Sequence, residues 1–291
     1  MDLTSESTTA AVIESFAETP DPRLREILQE LVPHLHDFVR KVRLTLPEWE
    51  AAIGFLTAVG QKCDANRQEF ILLSDVLGVS MLAETINGQE SGTESTVLGP
   101  FHVVASPERA DGDTIDLIGG AGPCLVTGRV LGTDGTPAAG ATVDVWQCSE
   151  DGFYDVQQPD VQPIGNGRGL FHTDAEGRFA FRTVVPSHYP IPTDGPVGRL
   201  LLATGRHPFR PAHIHFIAAA PGHRTLTTHI FVAGSPYLDS DAVFAVKKSL
   251  IADFDEVDDP ERAHRYGMHN PFRAASIDLV LESDHGTDHV G

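Results

Sequence analysis

In the segment Arg210-Pro211-Ala212-His213-Ile214-His215-Phe216, two histidines stand two residues apart. Side chains alternate along a strand, so His213 and His215 share one face while Ile214 and Phe216 take the other. Neutral imidazole is the commonest protein ligand for a transition metal, so a same-face pair can supply half of a metal site. Two histidines hydrogen-bonded within a sheet would explain the bare motif equally well. The chain has four tyrosines, Tyr154, Tyr189, Tyr237 and Tyr266, and two stand where a reactive group belongs. Tyr154 follows the Asp151-Gly152 turn. Tyr189 lies in Pro186-Ser187-His188-Tyr189-Pro190-Ile191-Pro192, where flanking prolines restrict the backbone around one side chain. Taken singly, each tyrosine also fits a ring in the core with its hydroxyl in water.

The elements that must position these groups change character along the chain. Leu24, Ile27, Leu28, Leu31, Leu35, Phe38, Val39 and Val42 recur at spacings of three and four, the stripe of an amphipathic helix that Pro33 is expected to kink or divide. Pro47 suits a first helical position, with Trp49, Ile53, Leu56 and Val59 as the next stripe. A third helix is predicted over Gln68 to Ile86, apolar most of the way round, with Asp75 in its middle facing a cavity. Asn87 to Gly92 is a polar connector. Beyond it, strands are predicted at Cys124–Val130, Ala141–Gln147, Arg178–Thr183, His213–Ala219, Thr227–Val232 and Ile277–Leu281, punctuated by Asp134-Gly135, Asp151-Gly152 and Glu176-Gly177. That pattern means a mainly β chain with a helical N-terminal part, its β portion an antiparallel sandwich or barrel. Pro186 to Pro211 is expected to be a long irregular functional loop, and the tail from Ser283, with His285 and His289, a disordered segment without ligands.

Composition narrows the class. Lys and Arg number 21 against 41 acidic residues, and the net charge of −20 argues against nucleic acid or an anionic membrane surface as partner. No run approaches the roughly 20 apolar residues of a membrane span. Cys63, Cys124 and Cys148 form no CxxC and no even set, which fits a reducing compartment. With no basic-then-apolar leader at the N-terminus, a cytoplasmic protein is expected.

Six motifs in order resemble the intradiol ring-cleavage dioxygenases, non-haem Fe(III) enzymes that split catechols between the hydroxyl-bearing carbons. They are Glu94-Ser95-Thr96-Val97-Leu98-Gly99-Pro100-Phe101, the run from Gly140 to Gln147, Asp151-Gly152-Phe153-Tyr154, Phe171-His172-Thr173-Asp174, Tyr189-Pro190-Ile191-Pro192, and Arg210 to Phe216. The resemblance covers the chain from about residue 25. It implies a helical dimerisation domain over 1–94 and a β-sandwich catalytic domain over 95–291. Asp151 to Gln157 and Thr228-His229-Ile230-Phe231-Val232 look most like the branch that cleaves hydroxyquinol. The product implied is 3-hydroxy-cis,cis-muconate or maleylacetate, in aromatic-compound catabolism; catechol or a substituted catechol is the alternative substrate.

Carried over position by position, the resemblance implies Tyr154, Tyr189, His213 and His215 as ligands of one Fe(III) per subunit. Charge supports it: two phenolates and a hydroxide balance Fe(III), and only a strong Lewis acid holds a group of pKa near ~10 as its anion at neutral pH. Tyr189 is then the ligand that leaves and acts as a base, and Arg210 stabilises the electron-rich ring. Leu72 and Asp75 match substrate-facing positions, with Asp75 placed to meet a third hydroxyl. Val97, Leu98, Gly99, Pro100 and Phe101 form one pocket wall, with Ile191, Pro192 and Val243 opposite. His172, His188, His207, His223 and His229 receive no role. The resemblance further implies a homodimer through the N-terminal helices, which in the family can hold a phospholipid; ordinary core packing explains the stripes at Leu24–Val42 and Phe70–Leu82 equally well.

Gly140 to Val143 and Thr173 to Phe179 also resemble transthyretin-like and carboxypeptidase-regulatory-like sandwich modules, which bind without catalysing. Such a module needs neither the tyrosine pair nor the His-x-His.

Overall fold

The computed structural model describes residues 4–5, 7–64, 67–102 and 105–284, so the expectation for His285 and His289 lies outside the described residues. Helices come first: α1 (Ser7–Glu14), α2 (Pro22–Val42), α3 (Leu46–Lys62), α4 (Glu69–Val76) and α5 (Val79–Asn87). Contacts divide the chain into two compact units, Met1–Ala58 and Val59–Gly291.

In the first unit, Asp21 starts α2 by accepting the backbone N–H groups of Arg23 and Leu24 at 2.8 and 3.1 Å, with Pro22 at the first turn. The helix runs unbroken through Pro33, so that proline does not divide it. Proline withholds one amide, and the rest of the 21-residue hydrogen-bond ladder carries on around it. No residue of α2 is buried, and its apolar stripe, Leu24, Ile27, Leu31, Leu35 and Phe38 included, stays exposed.

In the second unit, the helix expected over Gln68 to Ile86 is two helices, α4 and α5. They part at Gly78, whose φ of 73° lies in the left-handed region that breaks a helical ladder. The strands follow: β1 (Pro123–Gly132), β2 (Thr142–Trp146), β3 (Arg168–His172), β4 (Arg178–Val184), β5 (Tyr189–Pro190), β6 (Phe209–Arg210), β7 (His213–Ala219), β8 (Leu226–Val232), β9 (Ile251–Ala252), β10 (Asp255–Val257) and β11 (Phe272–Leu281). Helix α6 (Pro196–Ala203) falls between β5 and β6, and α7 (Pro260–Arg265) between β10 and β11. All six predicted strands form. Pro186 to Pro211 is not irregular as expected: it holds α6, with Pro196 at its first turn, and the β5–β6 pair. Ser283 is ordered too, bridging His223, against the expected disorder from that residue.

One sheet has strand order β10-β11-β1-β4 and the other β3-β2-β7-β8-β9. Pairing is antiparallel except where β11 lies beside β1 and β9 beside β8. Phe179 and Phe181 of β4 meet Phe216 of β7 at ring centroids of 6.4 and 6.3 Å, and Phe181 stacks on Phe171 of β3 at 5.4 Å. The sandwich core therefore takes the Phe216 face of β7. By alternation, His213 and His215 occupy the opposite face of that strand.

Candidate metal centre and active site

Strand register assembles the histidines. His215 pairs directly with Trp146 of β2 and with His229 of β8, so all three share its face. Trp146 stacks on the His215 ring at 4.5 Å and 11°. Gly99 presses from another side: a Cβ there would sit 2.9 Å from His215 Cε1, and its φ is 80°, so backbone alone fits. His213 Nδ1 lies 2.7 Å from the Pro211 carbonyl, which only accepts. The proton is therefore on Nδ1, and the Nε2 lone pair faces inward.

Two loops bring the tyrosines. Gly152, at φ 83°, makes the turn before Tyr154, and Tyr154 donates its backbone N–H to Gln157 Oε1 at 2.9 Å. Its ring stacks on Phe101 at 4.5 Å. Tyr189 opens β5 and is the direct ladder partner of Arg210 on β6, so two short strands set phenol and guanidinium side by side. The polar atoms converge: Tyr154 Oη is 3.0 Å from His215 Nε2 and 3.3 Å from Tyr189 Oη, and the two histidine Nε2 atoms are 3.2 Å apart. Arg210 Nη1 reaches within 3.3 Å of His213 Nε2. All five side chains are buried.

Burial sets the protonation states. Desolvation pushes Tyr154 well above an ordinary phenol, and the neighbouring Tyr189 adds to the rise. Tyr189 is raised by burial as well, although Arg210 opposes it. Burial also holds His213 and His215 neutral, well below the usual imidazole value. Burial works against the Arg210 charge, but Asp241 and the tyrosines outweigh it, and the guanidinium stays protonated. Two phenols and two neutral imidazoles meeting at one point are an O2N2 donor set for a hard cation strong enough to displace the phenolic protons. The residues present therefore fit Fe(III).

His229, given no role from the sequence, belongs to this cluster. It is buried, its ring lies 4.1 Å from that of His215, and its ligand atom is within 4.8 Å of those of His213 and His215. Nδ1 is hydrogen-bonded to Thr96 Oγ1, and Nε2 has no protein partner. His172, His188, His207 and His223 stand outside the cluster.

Beside the centre, Leu72, Pro100, Phe101 and Pro192 line a cavity of 350 Å³, together with Arg67, Gln68, Glu69, Val156, Gln157 and Asp194, which carried no expectation. A larger groove of 760 Å³ along β9 to β11 contains none of the candidate residues. Val97, Ile191 and Val243 are buried, and Leu98 is 44% exposed. Asp75 sits in the last turn of α4, 2% exposed, with Oδ1 unpartnered. Desolvation raises its carboxyl above the ordinary range, although Ser80 and Arg210 pull the other way. A fully buried ion pair braces the tyrosine loop: Arg168 Nε and Nη2 lie 2.9 and 2.7 Å from Asp155 Oδ1, and Nη2 donates to the Phe101 carbonyl at 2.9 Å. Nothing in the sequence pattern pointed to Arg168, because a charge in a glycine-rich run reads as solvated surface.

Residues 99–283 match the family model described as Dioxygenase, and residues 21–94 the one described as Catechol dioxygenase N terminus. The chain is 52% identical over 279 residues to a hydroxyquinol 1,2-dioxygenase of Rhizobium sp., covering 95% of each sequence. It is 56% identical over 250 residues to a 6-chlorohydroxyquinol 1,2-dioxygenase of Cupriavidus pinatubonensis, covering 84% of this chain and 90% of the relative. Among solved structures, hydroxyquinol 1,2-dioxygenase from Pseudomonas putida DLL-E4 superposes with a TM-score of 0.88 at 49% identity, over 96% of this chain and 98% of that one.

Proposed function

This chain belongs to the intradiol ring-cleavage dioxygenases, and from that premise we propose that it cleaves hydroxyquinol with O2 at Fe(III), giving 3-hydroxy-cis,cis-muconate or its keto form maleylacetate. The observation that carries the proposal is the convergence of two buried phenols and two buried imidazoles beside the Arg210 guanidinium. Tyr154, Tyr189, His213 and His215 would hold the iron. Bound there, Fe(III) would supply a Lewis acid that keeps phenolic oxygens ionised, the substrate's included, and so stabilises the doubly deprotonated substrate, whose ring is electron-rich.

The chain's own groups do the rest. Tyr189, on the proline-braced β5, takes up a substrate proton at Oη, while Tyr154 stays in place against Phe101. Arg210, whose charge does not titrate, faces the ring and stabilises the electron-rich form. Leu72, Pro100, Phe101 and Pro192 hold the ring and exclude water, with Val97, Leu98, Gly99, Ile191 and Val243 around them. Asp75 Oδ1 meets the third hydroxyl, which catechol lacks. Asp75→Ala is therefore expected to lower the hydroxyquinol-to-catechol ratio of kcat/KM by roughly 10- to 100-fold, the worth of a hydrogen bond to a charged group. Relative turnover of the two substrates checks this, and an unchanged ratio would remove Asp75 from recognition.

Residues 1–94 form the dimerisation part and 95–291 the catalytic part in this reading. A homodimer, with a phospholipid held among the same helices, accounts for the exposed stripe on α2 and for Trp49, Ile53 and Leu56 on α3. No helix among the described residues is long and apolar enough to cross a membrane. Three free cysteines suit a cytoplasmic enzyme.

The visible spectrum of purified protein, with an iron assay on the same sample, tests the site. A wine-red tyrosinate-to-iron band at one iron per chain is expected, shifting when hydroxyquinol is added without oxygen. Protein that stays colourless after iron is supplied would mean that the four groups do not form the site.

A further inference from the structure

Arg210 is 2% exposed, and a buried guanidinium needs a partner. Asp241, itself 5% exposed, supplies it. Arg210 Nε lies 3.1 Å from Asp241 Oδ1 and Nη2 lies 3.4 Å from Oδ2, a two-point pairing that fixes the plane of the guanidinium. The remaining nitrogen, Nη1, is then aimed at the centre, 3.3 Å from His213 Nε2. The same aspartate gathers the chain that follows it. Oδ1 accepts the Val243 N–H at 3.3 Å, Oδ2 accepts the Ala245 N–H at 3.1 Å, and the Asp241 carbonyl accepts the Phe244 N–H at 3.1 Å. Phe244 has φ 60°, an unfavourable conformation for a bulky side chain that these three bonds hold in place.

We propose that Asp241 is a positioning residue for the reaction, aiming the Arg210 guanidinium at the substrate ring and fixing the backbone of buried Val243. The proposal rests on the role given to Arg210 above. A guanidinium on a flexible stem stabilises a developing charge only if its orientation is set beforehand. Asp241 makes no contact with His213, His215 or either tyrosine among the described hydrogen bonds, so it acts through Arg210.

The test is a double-mutant cycle in iron-loaded enzyme, with Asp241→Asn and Arg210→Gln made singly and together. For each variant, kcat and KM for hydroxyquinol are measured alongside iron content and the resting visible band. Asp241→Asn is expected to lower kcat by about 10- to 100-fold, as for other groups that orient a catalytic residue, with iron content and band unchanged. In the Arg210→Gln background the same change is expected to cost less than about threefold, because coupled residues are non-additive. An equal loss in both backgrounds, or full kcat in Asp241→Asn while Arg210→Gln is inactive, overturns the role of Asp241 alone. Full activity in Arg210→Gln sinks the reading of Arg210 and this proposal with it. If Asp241→Asn does not fold, the double variant, which leaves no unpaired buried guanidinium, is expected to fold. A double variant as unfolded as the single would make Asp241 a loop anchor only.

Discussion

Tyr154→Phe should leave a folded, colourless protein whose turnover of hydroxyquinol has fallen by more than about a hundredfold, beyond the 10- to 100-fold typical of losing a group that merely orients a ligand. The fold should survive because phenylalanine keeps the ring that stacks on Phe101 at 4.5 Å and gives up one buried hydroxyl. Among the described residues that hydroxyl meets Tyr189 Oη and His215 Nε2; Tyr189 keeps its side-chain hydrogen bond with Arg210, and His215 keeps His213 Nε2 as a neighbour. What disappears, in the proposed ligand set, is one of two anionic ligands. Without it, a trivalent cation faces two neutral imidazoles and one phenolate, a poorer match in charge and hardness. Thermal melting, iron content and the visible band, measured on one preparation, separate the possibilities. Retained colour and turnover would remove Tyr154 from the ligand set; loss of folding would make it a core residue.

How much of this site was legible follows from how each group is carried. His213 and His215 announce themselves because a period of two is the signature of a strand face, and β7 has the predicted limits. The tyrosines stand out through their flanks, a left-handed glycine before Tyr154 and prolines around Tyr189. His229 was missed because a lone histidine carries no spacing signal. Yet Gly222, at φ 75°, turns β7 back into β8, and His215 and His229 each lie seven positions from it. Counting outward from that turn pairs them. Prolines misled in one direction only. Treated as breakers, Pro33 and Pro196 suggested an interrupted helix and an irregular loop; α2 absorbs the first, and the second sits where a helix has no use for its amide. Gly78 misled in the other direction, since an apolar run hid the left-handed residue between α4 and α5.

Arg168 shows what pattern alone cannot supply, and its removal should be the most destabilising single change proposed for this chain. Its side chain and that of Asp155 are 0% and 1% exposed. Arg168→Met would leave the Asp155 carboxylate buried without its cation, a loss of about 3–5 kcal/mol. For a unit of this size that corresponds to a fall in Tm of roughly 6–20 °C. The damage should reach the metal centre along two routes. Asp155 follows Tyr154 directly and accepts the Gly165 N–H at 2.8 Å, while Arg168 Nη2 holds the carbonyl of Phe101, the ring on which Tyr154 stacks. Adding Asp155→Leu should restore most of the melting temperature, because an apolar pair of similar volume replaces two desolvated charges. Iron affinity should stay depressed in the double variant, since the Phe101 carbonyl and the Gly165 amide have still lost their partners. Calorimetry and iron titration of both variants decide the matter. An Arg168→Met protein that melts within about 3 °C of the parent, a difference near 1 kcal/mol, would show that the ion pair contributes little and that Tyr154 is held by its own loop.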